Sequence, residues 1–477
     1  MVYGGGDFVT KLLNFFAFPL IAAALSPIAY GTLELIMSAT GLLAVIANCG
    51  LNNAVSLFYF DKNTTQEDRP RIVTSGFVAL LGFCLVCITV GLAAVPFLMP
   101  VIKRKEMPVT WVALLAALLL MALTQWLKYI LDVMRLHFAP FRFLTVSLVS
   151  RVVSIFAGLW VVVKFGFGVD GLLSAQVVVM LLIIPFALYM IRRDFNPRLI
   201  DRMWVKTLTR IGSPFIFASL AYWVFGAMDR WMLAALLPEE NSIREVGVYS
   251  VSFRLASVVL FVSMAFGRAW DPIAYKLRTS HPESYRDIYG KVLVSLLFFM
   301  TMIGGGVALF SGELISLLMP HKYLGSALPL SILCFGIILQ STQQVTMIGI
   351  SLEKKTFLFA RLSWFTAAVN FVLNYVLIPK YGGAGAAWAT AASNLVLTGS
   401  YFYWTQKLHP FIVHWKPFIA VLFSGILIFA TSIKLQAYSF DPVVVVTKCS
   451  IILICGFVCL FSLPISFRDL IKRNVKR

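Results

Sequence analysis

The chain has 477 residues, 60% of them hydrophobic and 13% charged, with a mean hydropathy of +0.87. These values exclude a soluble globular domain and leave a polytopic membrane protein. The net charge of +19 does not mark a nucleic-acid binder, because the basic residues follow a membrane pattern instead.

Apolar runs long enough to cross a bilayer recur at 8–25, 30–58, 72–98, 109–131, 143–163, 170–191, 211–237, 246–270, 292–318, 326–350, 357–378, 383–404, 417–435 and 443–466. The pattern predicts an all-α polytopic membrane protein with about fourteen transmembrane helices, in a range of 12–14, the fifth, tenth and thirteenth runs being the weakest. With the N-terminus in the cytoplasm, inner segments hold 27 of the 40 Lys and Arg residues and outer segments hold 9. This is the positive-inside distribution, and it places both termini in the cytoplasm. Lys103-Arg104-Lys105 breaks the rule on the outer side, where it would meet anionic lipid or substrate. The seven cysteines all lie in apolar runs, and Cys84 and Cys87 have no partner cluster at metal-ligand spacing, so they are read as structural.

The first run carries Lys11 and Asn14 and is broken by Pro19, unlike a secretory signal, and is expected to be retained. Leu25-Ser26-Pro27 is a turn signal that makes a tight outer hairpin with the second run. Glu34 follows one turn inside it, where it is either interfacial or lines a cavity, and Asn48, Asn52 and Asn53 sit near its inner end. Asp132 and Arg135 are within helical reach at i, i+3, and Arg151 lies about two turns into the fifth run. The polar stretch 192–210 carries six basic residues and marks the boundary between two halves. The seventh run ends with Asp229-Arg230; neighbours on a helix point about 100° apart, so one would face a cavity and the other the headgroups.

The eighth run holds Arg254 roughly 12 Å in from Val246, where a charge is costly and therefore functional, so Arg254 is expected to face a wet cavity. Arg268 and Asp271 at i, i+3 are expected to form an inner-end ion pair with a gating or interface role. The same offset of 216 residues separates Gly31 from Gly247 and Tyr59 from Tyr275, which points to a duplicated bundle, the usual build of a transporter. Asn370 and Asn374 share a helix face at i, i+4, a spacing that more often joins helices than binds substrate. The turn at 379–390 enters a helix rich in small residues, which calls for close packing, and the last two runs are nearly featureless and expected at the periphery.

The run from Asn370 and Asn374 through Ile378-Pro379-Lys380-Tyr381-Gly382 to Gly385-Ala386-Ala387 and Ala389-Thr390 resembles the polysaccharide transporter family of lipid-linked oligosaccharide flippases, as do Leu25-Ser26-Pro27 to Tyr30-Gly31 and Val246-Gly247-Val248-Tyr249-Ser250. The similarity extends over essentially the whole chain in length, order and spacing. It implies a MATE-like two-bundle fold with a pseudo-twofold repeat: an N-terminal six-helix bundle over 1–191, a cytoplasmic connection at 192–210, a second six-helix bundle over 211–404, and two further helices with a basic cytoplasmic tail over 405–477. It also implies translocation of an undecaprenyl-pyrophosphate-linked oligosaccharide across the inner membrane for O-antigen, capsule or exopolysaccharide assembly. Polysaccharide polymerase and chain-length regulators are the partners it suggests. Arg254, Arg230, Arg151, Lys11 and Asn374 are then the candidate substrate-binding residues, since guanidinium suits phosphate oxygens.

Alternating access is the expected mechanism. There is no Gly-rich Walker loop, so direct ATP hydrolysis is not expected, nor is any cofactor or metal. Glu34 and Asp229 are candidate carboxylates for ion coupling, with Arg268 and Asp271 as gating candidates. A MATE-type exporter of cationic drugs would need an acidic site, whereas the runs here hold four arginines. A membrane-embedded glycosyltransferase or polymerase would need carboxylates in a sizeable outer loop; the outer connections are short and the five histidines are scattered, so the chain is read as a non-enzyme.

Overall fold

The computed structural model describes residues 2–62, 64–192, 195–355, 357–436 and 441–462, except for the side chains of residues 2–8, 11, 218, 222, 461 and 462. Every regular element among them is helical. The chain divides into two compact units, Met1–Gly247 and Val248–Arg477.

The first unit comprises α1 (Val2–Ala24), α2 (Pro27–Asn48), α3 (Leu51–Tyr59), α4 (Asp68–Arg104), α5 (Trp111–Leu136), α6 (Pro140–Phe165), α7 (Gly168–Met190), α8 (Arg202–Gly212), α9 (Pro214–Leu236) and the start of α10 (Glu239–Ser280). Its hub is α5, which packs on α2, α4, α6 and α7. The residues of α5 explain this: small and branched apolar side chains such as Ala117, Ala122 and Ile130 are buried on several faces, and Thr110 caps the start by accepting from the Val112 N–H at 3.1 Å. Cys49 and Gly50 take left-handed backbone angles and break the second span into α2 and α3. Gly50 is required there, because a Cβ would lie 2.2 Å from the Gly212 carbonyl oxygen of α8.

The second unit holds the remainder of α10, then α11 (Tyr285–Leu309), α12 (Ser311–Leu318), α13 (Ala327–Ser341), α14 (Gln343–Thr346), α15 (Ile348–Leu352), α16 (Phe357–Leu408), α17 (Trp415–Lys434) and α18 (Pro442–Ser462). Its hub is α13, against α11, α16 and α17. The 52 residues of α16 are two helices joined at Gly382, whose φ of 55° and ψ of −133° only glycine adopts readily. Just beyond, the Gly385 Cα comes so near the Leu377 carbonyl oxygen that a Cβ would sit 2.3 Å from it.

Among the described residues, eleven helical stretches are long and apolar enough to cross a membrane, and Arg202–Ala221 with Trp223–Leu236, bent by 43°, is a twelfth. Twelve lies within the range of 12–14 read from the sequence, and the apolar part of α1, Leu12–Ala24, falls short of a span by length. Large apolar side chains such as Phe97, Phe141 and Val443 are exposed along the helices, the arrangement that a lipid solvent favours. The protein is a multi-pass membrane protein. In α18 the sequence reading needs correction: Lys448, counted among the outer basic residues, is sealed inside the second unit at 0% exposure, where its ammonium lies 2.6 Å from Glu313 of α12. The last helix is therefore not featureless.

Candidate functional site

Ser26 and Pro27 start α2 as the sequence predicts: the Ser26 Oγ accepts from the Ala29 N–H at 3.1 Å, and Pro27 occupies the first turn. Residues 29–36 of α2 are then buried without interruption, including the charged Glu34. Facing it on α9 are Asp229 and Arg230, 3% and 7% exposed. Arg230 Nε lies 3.5 Å from Glu34 Oε2, and its Nη1 donates to the Gly226 carbonyl of its own helix at 2.8 Å. Seven residues earlier on α9, Trp223 Nε1 donates to the Ser38 carbonyl at 2.9 Å. One turn down α2 thus answers two turns back along α9, and the two contacts fix an antiparallel register.

Both Asp229 and Arg230 are buried, so neither meets headgroups as the angular argument expected. The reason is that α9 has α2 beside it at this level, and the resulting ion pair draws the charge inward. At 3.5 Å this contact is longer than the 2.7–2.9 Å of a charge-assisted hydrogen bond.

One turn above Glu34, α2 crosses the start of α10 at backbone distance. A Cβ on Gly31 would lie 2.1 Å from the Ile243 carbonyl oxygen, and one on Gly247 would lie 2.1 Å from the Pro27 carbonyl oxygen. The contact is reciprocal, and the same 216-residue offset relates Pro27 to Ile243 and Gly31 to Gly247. The two approaches mirror one another across the α2–α10 crossing.

The remaining candidates are dispersed. Arg151 of α6 is half-buried and has no ion-pair partner among the described residues. Arg254 is half-buried on the part of α10 that belongs to the second unit. Asn374 is fully buried and donates to Asn370, one turn away on the same helix, at 3.0 Å. Arg268 is exposed, Asp271 half-buried, and no ion pair joins them among the described residues, so the expected inner pair does not form. Helical spacing allows an i, i+3 pair without requiring one. The Lys11 side chain lies outside the described residues.

Two groupings escaped the sequence. Where α2, α3 and α5 meet in the first unit, Asn48 donates to Asn52 at 2.9 Å and to Gln125 at 3.3 Å, Asn52 donates to Asp132, and Arg135 lies 3.3 Å from Asp132. The amides were visible, but their pairing across 80 residues was not. In the second unit, His409 lies between Tyr285 at 3.0 Å and Glu353 at 3.3 Å. Burial holds its imidazole below the usual histidine range, Arg278 adds to that and Glu353 opposes it.

A family of polysaccharide biosynthesis proteins matches residues 1–277, more than half of the chain. The chain belongs to this family. The lipid III flippase of Escherichia coli (strain K12) is 24% identical over 429 residues, covering 85% of this chain and 95% of that protein. The probable low-salt glycan biosynthesis flippase Agl15 of Haloferax volcanii is 24% identical over 210 residues, 42% of this chain and 44% of its own length. Among solved structures, the lipid II flippase MurJ in an inward closed conformation superposes with a TM-score of 0.73 at 13% identity, covering 100% of this chain and 99% of that one. A multidrug resistance MATE family transporter in an inward-facing conformation gives a TM-score of 0.65 at 15% identity over 83% and 94% of the two chains. The fold is the MurJ- and MATE-like one.

Proposed function

We infer that this protein is a flippase that carries an undecaprenyl-pyrophosphate-linked oligosaccharide from the inner to the outer leaflet of the cytoplasmic membrane by alternating access. It is a transporter and not an enzyme, and it serves O-antigen, capsule or exopolysaccharide assembly. Similarity to the lipid III flippase across 85% of this chain supports the class of cargo. The observation that carries the chemistry is the buried guanidinium of Arg230, held 3.5 Å from Glu34 inside a membrane span. A guanidinium at that depth offers a fork for phosphate or acidic sugar, and Glu34 keeps it neutralised when cargo is absent. Arg254 and Arg151 supply further positive charge along the path, and Glu34 and Asp229 are the carboxylates through which ion movement is coupled. The multidrug reading is less favoured, because the MATE likeness extends to the fold alone.

Both termini are cytoplasmic in this reading, the halves meet at 192–210, and polymerase and chain-length proteins receive the product. The test is to delete the gene, complement with the wild type, Arg230→Ala or Arg254→Ala, and measure lipid-linked glycans by mass spectrometry together with surface polysaccharide. Accumulation of complete lipid-linked units in the deletion and the Arg230→Ala strain is the expected result. Truncated units, or unchanged surface glycan, would overturn the reading.

A further inference from the structure

The outer-side basic cluster at the end of α4 does not stand free. Lys105, half-buried, donates to the Ala234 carbonyl of α9 at 2.5 Å and to the Ser242 hydroxyl of α10 at 3.3 Å. Beside it Arg104 pairs with Glu239, the first residue of α10, at 2.5 Å. These contacts grip both arms of the α9–α10 hairpin at once. Below the grip lies the reciprocal Gly31–Gly247 crossing, and below that the Glu34–Arg230 pair. A cavity of about 230 Å³ lies at the grip, lined by Arg104, Lys105, Glu239, Ile243 and Arg244 among others.

The chemistry of the grip is unbalanced. The bonding partners of the Lys105 ammonium are a carbonyl and a hydroxyl, both neutral, whereas the carboxylate of Glu239 engages Arg104. An ammonium on neutral acceptors gives them up to a phosphate-type anion, which bonds it more strongly. We propose that Lys105 latches the α9–α10 hairpin over the Gly31–Gly247 crossing, and that a phosphate-type anion arriving at this mouth displaces it from Ala234 and opens the outer gate. The latch rests on the transporter reading and adds to it a residue that reads the cargo's charge on the way out rather than on the way in. Lys105 is a positioning residue: it acts through the hairpin. The Arg104–Glu239 pair, exposed and screened, aligns the hairpin and contributes little of the closing force.

The test uses the full chain in intact cells, with Ser38→Cys as a reporter two turns below Gly31 and a membrane-impermeant maleimide added outside; the same protein without Ser38→Cys gives the background of native cysteines. Lys105→Met is expected to raise reporter labelling about tenfold, the population shift that loss of one charge-assisted bond brings. Lys105→Arg is expected to retain slow labelling. Inorganic pyrophosphate added outside is expected to speed labelling when Lys105 is present and not in Lys105→Met, with sodium chloride at equal ionic strength as the control. Equal labelling with and without Lys105 overturns the latch, and equal acceleration by pyrophosphate in both overturns the displacement. Should Lys105→Met fail to accumulate, Arg104→Cys/Glu239→Cys decides: oxidation should abolish the pyrophosphate response and reduction should restore it, whereas a response that survives oxidation overturns the proposal. Lipid-linked glycan transport in the same strains judges the flippase reading separately, since maleimide labelling does not depend on which cargo is carried.

Discussion

Two buried ion pairs, one in each unit, are made for different tasks. Glu313 and Lys448 lie 2.6 Å apart at 1% and 0% exposure and tie α12 to α18, with the ammonium also 5.5 Å from the Phe310 ring centroid. Glu34 and Arg230 lie 3.5 Å apart, with a second buried carboxylate, Asp229, next to the arginine on α9. A compact ammonium held tightly against one carboxylate is a fastener. Under the proposed function, the planar guanidinium at longer range is instead where the cargo's anionic groups exchange with Glu34. Burial alone therefore does not tell the two pairs apart; the length of the contact and the kind of cation do.

The largest effect that sharpens this contrast is expected at the fastener. Lys448→Met alone leaves Glu313 uncompensated and should cost about 3–5 kcal/mol, read as a lower thermal midpoint of the purified protein in detergent. Lys448→Met/Glu313→Met should recover most of the loss, because two apolar side chains replace two charges sealed inside the unit. If the double variant is as unstable as the single, the pair is more than a fastener. Next comes Gly247→Ala, whose methyl would meet the Pro27 carbonyl oxygen at 2.1 Å; a cost of about 1–3 kcal/mol and a faster-labelled Ser38→Cys reporter are expected.

Glu34→Gln is the variant that would break the comparison. It keeps the shape, leaves Asp229 to balance Arg230, and should cost only about 1 kcal/mol in stability while lowering glycan transport at least tenfold. A thermal shift as large as that of Lys448→Met would make Glu34 a second fastener. The smallest effect belongs to His409. Its imidazole is held below the ordinary histidine range by burial, so the native state binds the proton less well than the unfolded chain. The stabilising contribution is present above the unfolded value of about 6.5 and is lost as the pH falls through it toward the native value. A His409→Gln variant should flatten the decline of the thermal midpoint between about pH 7.5 and about pH 5; an unchanged slope would show that another group sets it.

Some of the site was readable in advance. Arg254 stood out because a charge in an apolar run is expensive, and that argument needs no partner. Glu34 could as well have been interfacial, and Arg230 entered through the family resemblance. Their pairing was unreadable, because they are separated by 196 positions and no periodicity spans that gap. The angular argument for Asp229-Arg230 went astray for the same reason: it assumed that a helix has a lipid side and a cavity side, but α2 covers α9 at this level. Arg268 and Asp271 show the opposite failure, a spacing that permits a pair which the structure does not make.

What the sequence determined by itself was the solvent and the scale. Bilayer thickness sets the length of apolar run needed for a helix, and each helix satisfies its own backbone, so the number of spans and the turn at Ser26-Pro27 follow from local chemistry. The 216-residue offset was also in the sequence, as a repeat. Only the tertiary structure decided that the repeat folds back on itself at Gly31 and Gly247, that Lys105 grips the α9–α10 hairpin, and that Lys448 is sealed against Glu313. In a membrane, apolar faces pack on lipid as readily as on one another, so hydrophobicity does not choose the neighbours. Close backbone approach and pairing of buried charge do, and both exist only once distant segments meet.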